Sequence, residues 1–82
     1  MATDRKLSKI HTRILTFVNE HHEVTPKSVG LSLGKGKGTP RDRQVWAYLQ
    51  LSRLMNRGYL RRTAPGVYRL TRVGTSTVFK AA

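Results

Sequence analysis

The stretch that decides the fold is Thr39–Arg72, TPRDRQVWAYLQLSRLMNRGYLRRTAPGVYRLTR. Its first two residues favour the start of a helix, because Thr39 can cap free backbone N–H groups and Pro40 has no N–H to leave unpaired. Gly58 marks the end, since glycine readily takes the left-handed conformation that terminates a helix. The pattern predicts a helix over about 40–57.

A basic β-hairpin is expected directly after this helix. Two short segments alternate apolar and basic residues on either side of a Pro-Gly pair at 65–66, which suits the central positions of a type II turn. The hairpin is therefore predicted over about 59–71. With its apolar set turned inward, Arg61 and Arg69 should project from the other face, near the preceding helix, whereas the pattern leaves the facing of Arg62 open.

Two further helices are predicted before residue 39, and the tail is less clearly patterned. Apolar residues recur at helical spacing over about 7–21, and Thr25 followed by a proline opens a second helix over about 26–33. Gly30 should weaken this second helix and Gly34 should end it. The tail, 73–82, carries apolar residues that would form a last strand or a last helix.

The composition points to a polyanionic partner. The 82 residues hold 16 Lys+Arg against 4 Asp+Glu, which gives a net charge of +12 and a pI near 11.5. Residues 24–82 account for +11 of this charge and contain one acidic residue, Asp42. A small protein with this imbalance typically binds nucleic acid.

Several classes of protein are excluded by the same sequence. The length predicts one domain, 1–82, with one modest core. No cysteine is present, and the carboxylates and His11, His21 and His22 form no recognisable catalytic or metal-binding set, so neither an enzyme nor a cofactor is expected. The two adjacent histidines are better explained by the helix dipole at a helix C-terminus. Without an apolar span or a signal segment, the chain is expected inside the cell, in the cytoplasm, nucleoid or nucleus.

The helix over 40–57 is predicted to present one face to the core and one to a ligand. With successive residues about 100° apart, the core face should hold Gln44, Ala47, Tyr48, Leu51, Leu54 and Met55. The opposite face should hold one continuous stripe, made of Arg43, Trp46, Gln50, Arg53 and Arg57. Arginine and glutamine can read guanine and adenine, and an indole can stack. Alternatively, the stripe is an ordinary solvated face with Trp46 packed against a neighbouring element or a second subunit.

The segment 34–38, GKGKG, separates the second and third predicted helices. Its glycines allow a close approach of the backbone, and Lys35 and Lys37 supply mobile charges, so it is either a phosphate-contacting loop or a flexible, solvated connector. A P-loop is excluded, because the required spacing and a preceding strand are missing.

From Thr25 to Gly74 the chain resembles a winged helix-turn-helix domain of the broad MarR-like kind. The resemblance rests on the Thr-Pro start of the second helix, on the spacing of Leu51, Leu54, Gly58 and Leu60, and on Tyr68, Leu70, Thr71 and Gly74 at the end of the hairpin. It implies an α+β winged helix in which three helices precede a two-stranded wing, and it implies binding to duplex DNA in transcriptional control. The GKGKG loop is longer than the family's turn.

Double-stranded DNA is accordingly the expected partner, and RNA the alternative. The expected contact residues are Lys35, Lys37, Arg41, Arg43, Trp46, Gln50, Arg53, Arg57, Arg61, Arg62 and Arg69. A competing interpretation is a sequence-independent architectural protein or an RNA or ribonucleoprotein binder. Val45 and Leu49 widen the apolar arc of the third helix, so either the first helix covers them or another subunit does. Monomer and homodimer are both open, and a protein adaptor would require these residues to be exposed with Trp46.

Overall fold

The fold is described by a computed structural model covering residues 8–81, with side chains as far as Phe79. The expected helix start at Leu7 and the last residue of the tail, Ala82, lie outside this range. The elements in chain order are α1 Lys9–His21, α2 Pro26–Leu33, α3 Pro40–Asn56, β1 Leu60–Ala64, β2 Val67–Leu70 and α4 Arg72–Ala81. Helices α2 and α3 lie where the sequence predicts them, except that α3 ends one residue earlier.

Side-chain caps fix where the helices begin. The predicted caps at Thr25 and Thr39 are confirmed, and each is part of a reciprocal capping box. The Thr39 hydroxyl accepts from the Asp42 N–H at 3.1 Å, and the Asp42 carboxylate accepts from the Thr39 N–H at 3.1 Å. The glycine stop after α3 is also confirmed, since Gly58 has φ 88°. These local signals determine the boundaries before any tertiary packing is considered.

A single apolar core joins the first three helices to the hairpin. Its buried members are Ile14, Leu15 and Val18 from α1, Val24, Val29 from α2, Ala47, Leu51 and Leu54 from α3, and Leu60 and Tyr68 from the hairpin. All of them are apolar or aromatic, so hydrophobic burial is the main stabilising contribution.

Helices α2 and α3 pack so closely that a glycine is required between them. A Cβ added at Gly30 would lie 2.6 Å from the Arg43 carbonyl oxygen and 3.0 Å from the Gln44 nitrogen. Any larger residue would therefore force two backbones apart. The sequence-based view of Gly30 as a residue that merely weakens α2 was incomplete, because its main consequence is this close approach.

The hairpin follows the predicted facing except at an irregularity in β1, where the register shifts between Arg62 and Ala64. Strands β1 and β2 are antiparallel, with Leu60 opposite Leu70 and Arg61 opposite Arg69, and the loop between them is the Pro-Gly pair. Leu60 is buried and both arginines are exposed, which confirms the predicted facing. The outer edge of β2 carries one further bridge, from Tyr68 to Val24.

The tail forms a fourth helix that the predicted fold of three helices did not include. The Thr71 hydroxyl caps α4 by accepting from the Gly74 N–H at 3.1 Å, and it donates to the Gly58 carbonyl at 2.6 Å. Helix α4 packs mainly against α1, with Val73 and Phe79 left exposed. Over residues 8–81 the protein is thus α+β, with four helices and a two-stranded hairpin between α3 and α4, a layout compatible with a winged helix. Within residues 8–81, no helix has both the length and the apolar character that crossing a bilayer requires.

Candidate nucleic-acid interface

The predicted stripe on α3 does not form one surface. Arg53 and Arg57 are exposed, but Arg43, Trp46 and Gln50 are partly buried. The prediction of a continuous ligand-facing stripe is therefore wrong. The side of α3 that carries Arg43 and Gln50 faces the rest of the protein.

Arg43 lies against the end of α2. A Cβ built at Gly34 would come within 3.2 Å of its Cβ and 3.3 Å of its Cγ, so the stem of Arg43 packs where glycine leaves room. Its Nε is buried and, among the described residues, has no hydrogen-bond partner. The stem and Nε of Arg43 are thus held against the protein, and its role in reading a base stays a prediction.

Gln50 and Trp46 are held by other parts of the chain. The His11 Nε2 donates to the Gln50 side-chain oxygen at 2.8 Å, which links α1 to α3. Trp46 packs against the core, and the Lys37 ammonium lies 5.6 Å from the centre of its ring. The interpretation that Trp46 packs against a neighbouring element agrees with this geometry. The contact also ties the GKGKG loop to α3 through a cation–π interaction.

The predicted core face of α3 is wrong for two residues. Gln44 is exposed, and Tyr48 is 50% exposed. The three fully buried residues were all predicted, but the buried arc is centred about 40° away from the predicted one, judged from helix geometry. The cause is that apolar residues lie almost all around α3, so periodicity alone does not fix its rotation. The close contact between Gly30 and the α3 backbone places α2 against the Arg43 side instead.

The outer face of α3 is therefore a different set of residues. It consists of the exposed residues Arg41, Gln44, Val45, Tyr48, Leu49 and Asn56, with the partly buried Ser52 between them. Only Arg41 among them was predicted as a contact. Val45 is 55% and Leu49 48% exposed, so helix α1 does not cover them. The signal that could have revealed this face was the excess width of the apolar arc that Val45 and Leu49 create.

A shallow groove begins at this outer face. Its volume is about 280 Å³, and it is lined by Pro26 from α2 together with Arg41, Gln44, Val45 and Tyr48. The groove combines a guanidinium, an amide and apolar surface. These are the groups with which proteins read base edges and thymine methyls.

Exposed cations lie on the GKGKG loop, at the C-terminal end of α3 and on the hairpin. They are Lys35, Lys37, Arg53, Arg57, Arg61 and Arg62. Arg57 also lies over the ring of Tyr59, 5.9 Å from its centre. Asp42 is the one acidic residue after residue 23, and its carboxylate accepts a hydrogen bond in its own capping box. A single negative charge cannot neutralise these six cations. The surface is strongly cationic.

Arg69 lies elsewhere than expected. It is exposed as predicted, but it lines a small cavity with residues of α1 and α4, and no α3 residue contributes to that cavity. The expectation that it would lie near the third helix is not met.

The histidines of the described range differ in their surroundings. Within residues 8–81, no group of three or more histidine, cysteine or acidic residues could hold a metal ion. His21 Nδ1 donates to the Phe17 carbonyl at 2.9 Å in the last turn of α1, and the two rings stack at 4.1 Å. This agrees with a structural role at the helix end. His22 lies beyond the helix and has no such contact among the described residues.

Comparisons of the chain with protein-family models, with curated proteins and with solved structures give no match. Function is therefore inferred from the charge and geometry of the chain itself.

Proposed function

We propose that this is a non-enzymatic winged-helix protein that binds duplex DNA as a transcriptional regulator. The outer face of α3 enters the major groove, and the hairpin acts as the wing against the backbone. The observation that carries this proposal is the exposed outer face of α3, which joins polar and apolar groups and is accompanied by exposed cations on the loop, at the C-terminal end of the helix and on the hairpin.

Base reading is assigned to the first half of the outer face. Arg41 can bind guanine bidentately and Gln44 can pair with adenine, while Val45 and Leu49 offer apolar contact to thymine methyls. Tyr48, half exposed beside them, can donate its hydroxyl to a phosphate or a base edge. A protein that only coats DNA needs charge and has no use for an exposed apolar strip, so this strip favours a sequence reader.

Phosphate contacts are assigned to the six exposed cations of the loop, the end of α3 and the hairpin, namely Lys35, Lys37, Arg53, Arg57, Arg61 and Arg62. If these cations and Arg41 each neutralise one phosphate, log K should fall with log salt at a slope of about −6. Because such contacts carry no sequence information, they set the affinity and the register of the protein on DNA.

The proposal is tested by titrating the full chain with three nucleic acids at low and physiological salt: a random-sequence DNA duplex, a duplex selected from a pool, and an RNA duplex. Fluorescence polarisation of the labelled nucleic acid gives the affinity. Trp46 fluorescence is the second signal, because Lys37 on the neighbouring loop contacts the indole.

A selected duplex bound at least about a thousandfold more tightly than random DNA supports a sequence-specific regulator. Equal affinity for both DNA duplexes overturns it in favour of an architectural protein, for which the charge of +11 on residues 24–82 is sufficient. Preference for RNA points to a ribonucleoprotein component, with binding through the loop and hairpin, since α3 does not fit an A-form major groove.

A further inference from the structure

A small polar cavity, open to solvent, lies where the end of α1, strand β2 and helix α4 meet. Its volume is about 140 Å³, and its polar lining comes from Asn19, His22, Arg69 and Thr75. The volume corresponds to about four to five water molecules, which is enough for the five heavy atoms of a tetrahedral oxyanion. The proposed DNA contacts use none of these residues.

His22 holds an uncommon backbone conformation at the edge of this cavity. Its φ and ψ are 65° and −46°, and the Glu23 N–H donates to the His21 carbonyl at 2.7 Å. This geometry is a γ-turn centred on His22. Its positive φ makes it the rare kind of γ-turn, which is strained for a residue that has a Cβ. Among the described residues, His22 is the only non-glycine residue with positive φ. Such strain tends to persist at functional sites, and here the turn places an imidazole at the cavity.

The cavity offers hydrogen-bond donors and no carboxylate. The Thr75 hydroxyl already donates to the Thr71 carbonyl at 3.0 Å, so it has no proton to give a ligand. The donors that remain are the Asn19 amide, the His22 imidazole and the Arg69 guanidinium, and no hydrogen bond found within residues 8–81 engages these three side chains. A set made of a guanidinium, an imidazole and an amide suits an anion.

The hairpin adds a second cation beside this site. Arg61 lies directly opposite Arg69 in the β ladder, and two like charges at this position repel each other. A bound anion at Arg69 would relieve that repulsion. The carboxylates nearest in sequence belong to Glu20 and Glu23, and neither lines the cavity.

We propose that this cavity binds a phosphate-type oxyanion. The Arg69 guanidinium is the main ligand, and the His22 imidazole and Asn19 amide complete the site. The bound group is either a free phosphate-bearing molecule or a phosphate of a nucleic-acid backbone, and the site is independent of whether α3 binds DNA.

The test is a titration of the isotope-labelled full chain with inorganic phosphate, followed by amide NMR, with chloride at the same ionic strength as the reference. Saturable shifts that cluster at residues 19, 22, 69 and 75 are expected. Arg69→Gln should weaken phosphate binding at least about tenfold, because it removes a charge-assisted pair. Arg61→Gln is the matched control, since it removes the same charge outside the cavity and should keep most of the affinity.

A second variant separates the ligand role of His22 from a purely structural one. His22→Gly relieves the strained turn, so without phosphate the variant should unfold at the same temperature as the wild type or at a higher one. The increase in thermal midpoint that phosphate causes should be smaller in the variant than in the wild type. Shifts spread over all basic residues, or equal losses for Arg69→Gln and Arg61→Gln, would show nonspecific charge screening and overturn the proposal. An unchanged response in His22→Gly would remove His22 from the site.

The source of the phosphate is decided by adding a DNA duplex to the phosphate-loaded protein. Displacement of phosphate, with a greater loss of duplex affinity for Arg69→Gln than for Arg13→Gln, an exposed arginine of α1 that is assigned to no DNA contact, assigns the site to a backbone phosphate. Retention of phosphate on the duplex-bound protein assigns it to a small phosphorylated molecule. If the chain binds no duplex, the DNA proposal fails while the phosphate result stands on its own.

Discussion

The hairpin and α3 carry the same kinds of side chain, yet the chain fixes their facing in very different ways. In the hairpin, Leu60, Tyr68 and Leu70 share one face and Arg61 and Arg69 share the other, so only one choice of face buries Leu60 and Tyr68. In α3, apolar residues occupy nearly the whole circumference, and both Leu49 and Leu51 are candidates for the core. The structure buries Leu51 completely and leaves Leu49 48% exposed.

The difference shows what determines the rotation of a helix about its own axis. A strand has two faces, and an alternating pattern selects which of them is buried. A helix can bury any side of its circumference, so a helix that is apolar on most sides needs a packing partner to set its rotation about its axis. For α3 the partners are Gly30 and Gly34 of the α2 end, which make room for the Arg43 backbone and stem. The rotation is therefore decided by close packing of α2 and less by the apolar pattern of α3.

The largest expected effect comes from the pair Leu51→Ala and Leu49→Ala. The first removes a fully buried side chain and should lower the free energy of unfolding by about 3 kcal/mol. The second trims an exposed face and should change it by about 0.5 kcal/mol or less. Urea denaturation followed by circular dichroism measures both. Equal losses would mean that α3 buries both sides and that its outer face is not free.

The sequence predicted the fold more reliably than the site, for physical reasons. Helix ends were predictable, because Thr25, Thr39 and Gly58 act through hydrogen bonds and backbone conformations a few residues long. Helix α4 was left undecided although its cap at Thr71 is equally local, because its segment is rich in residues of low helix propensity such as Gly74, Thr75 and Thr77. Whether the hairpin is a wing in the functional sense stays a prediction.

For the site, charge was predictable and position was not. The exposed cations of the loop and hairpin follow from composition and from strand alternation. Gln50 was expected to read bases, but its contact with His11 spans two helices distant in sequence, and nothing local to α3 signals it. Gln44, which takes the outward position, was placed in the core by the same reasoning.

The packing that fixes α3 is tested by Gly30→Ala. The new methyl group would meet the Arg43 carbonyl at 2.6 Å, and backbone cannot move aside as a flexible side chain can. A loss of about 2 kcal/mol in unfolding free energy is expected from overpacking. Ser32→Ala, on the exposed side of the same helix, is the control and should stay within about 0.5 kcal/mol. A neutral or stabilising Gly30→Ala would mean that helix propensity outweighs the contact and that α2 does not fix α3.

The rotation of α3 makes a matched prediction for DNA binding. Gln44→Ala should cost about 1 to 3 kcal/mol on the selected duplex and relax base preference. Gln50→Ala removes the same amide from the side held by His11 and should leave base preference unchanged. Arg41→Ala and Arg43→Ala form a second pair. Arg41→Ala should weaken binding and relax base preference, whereas Arg43→Ala should leave base preference unchanged. Affinities for the selected duplex and for single-base variants of it give the answer.

The opposite pattern, with Gln50 and Arg43 altering base preference and Gln44 and Arg41 not, would restore the stripe that periodicity suggested. A uniform loss on every sequence for Gln44→Ala would reduce it to a contact without specificity. Thermal midpoints of all four variants serve as the control, because Gln50→Ala also breaks the bond to His11.

The smallest expected effect tests the hairpin side of the comparison. Arg61 and Arg69 face each other across the ladder, so Arg61→Gln should raise the unfolding free energy by about 0.2 to 1 kcal/mol at low salt. At about 1 M salt, where the screening length falls to about 3 Å, the gain should disappear. Arg62→Gln is the control, because its partner across the ladder is Tyr68 and no like charge is relieved. A gain that persists at high salt would be due to strand propensity. A gain that vanishes at high salt would show that Arg61 and Arg69 repel each other in the folded hairpin, a repulsion that an anionic partner can remove.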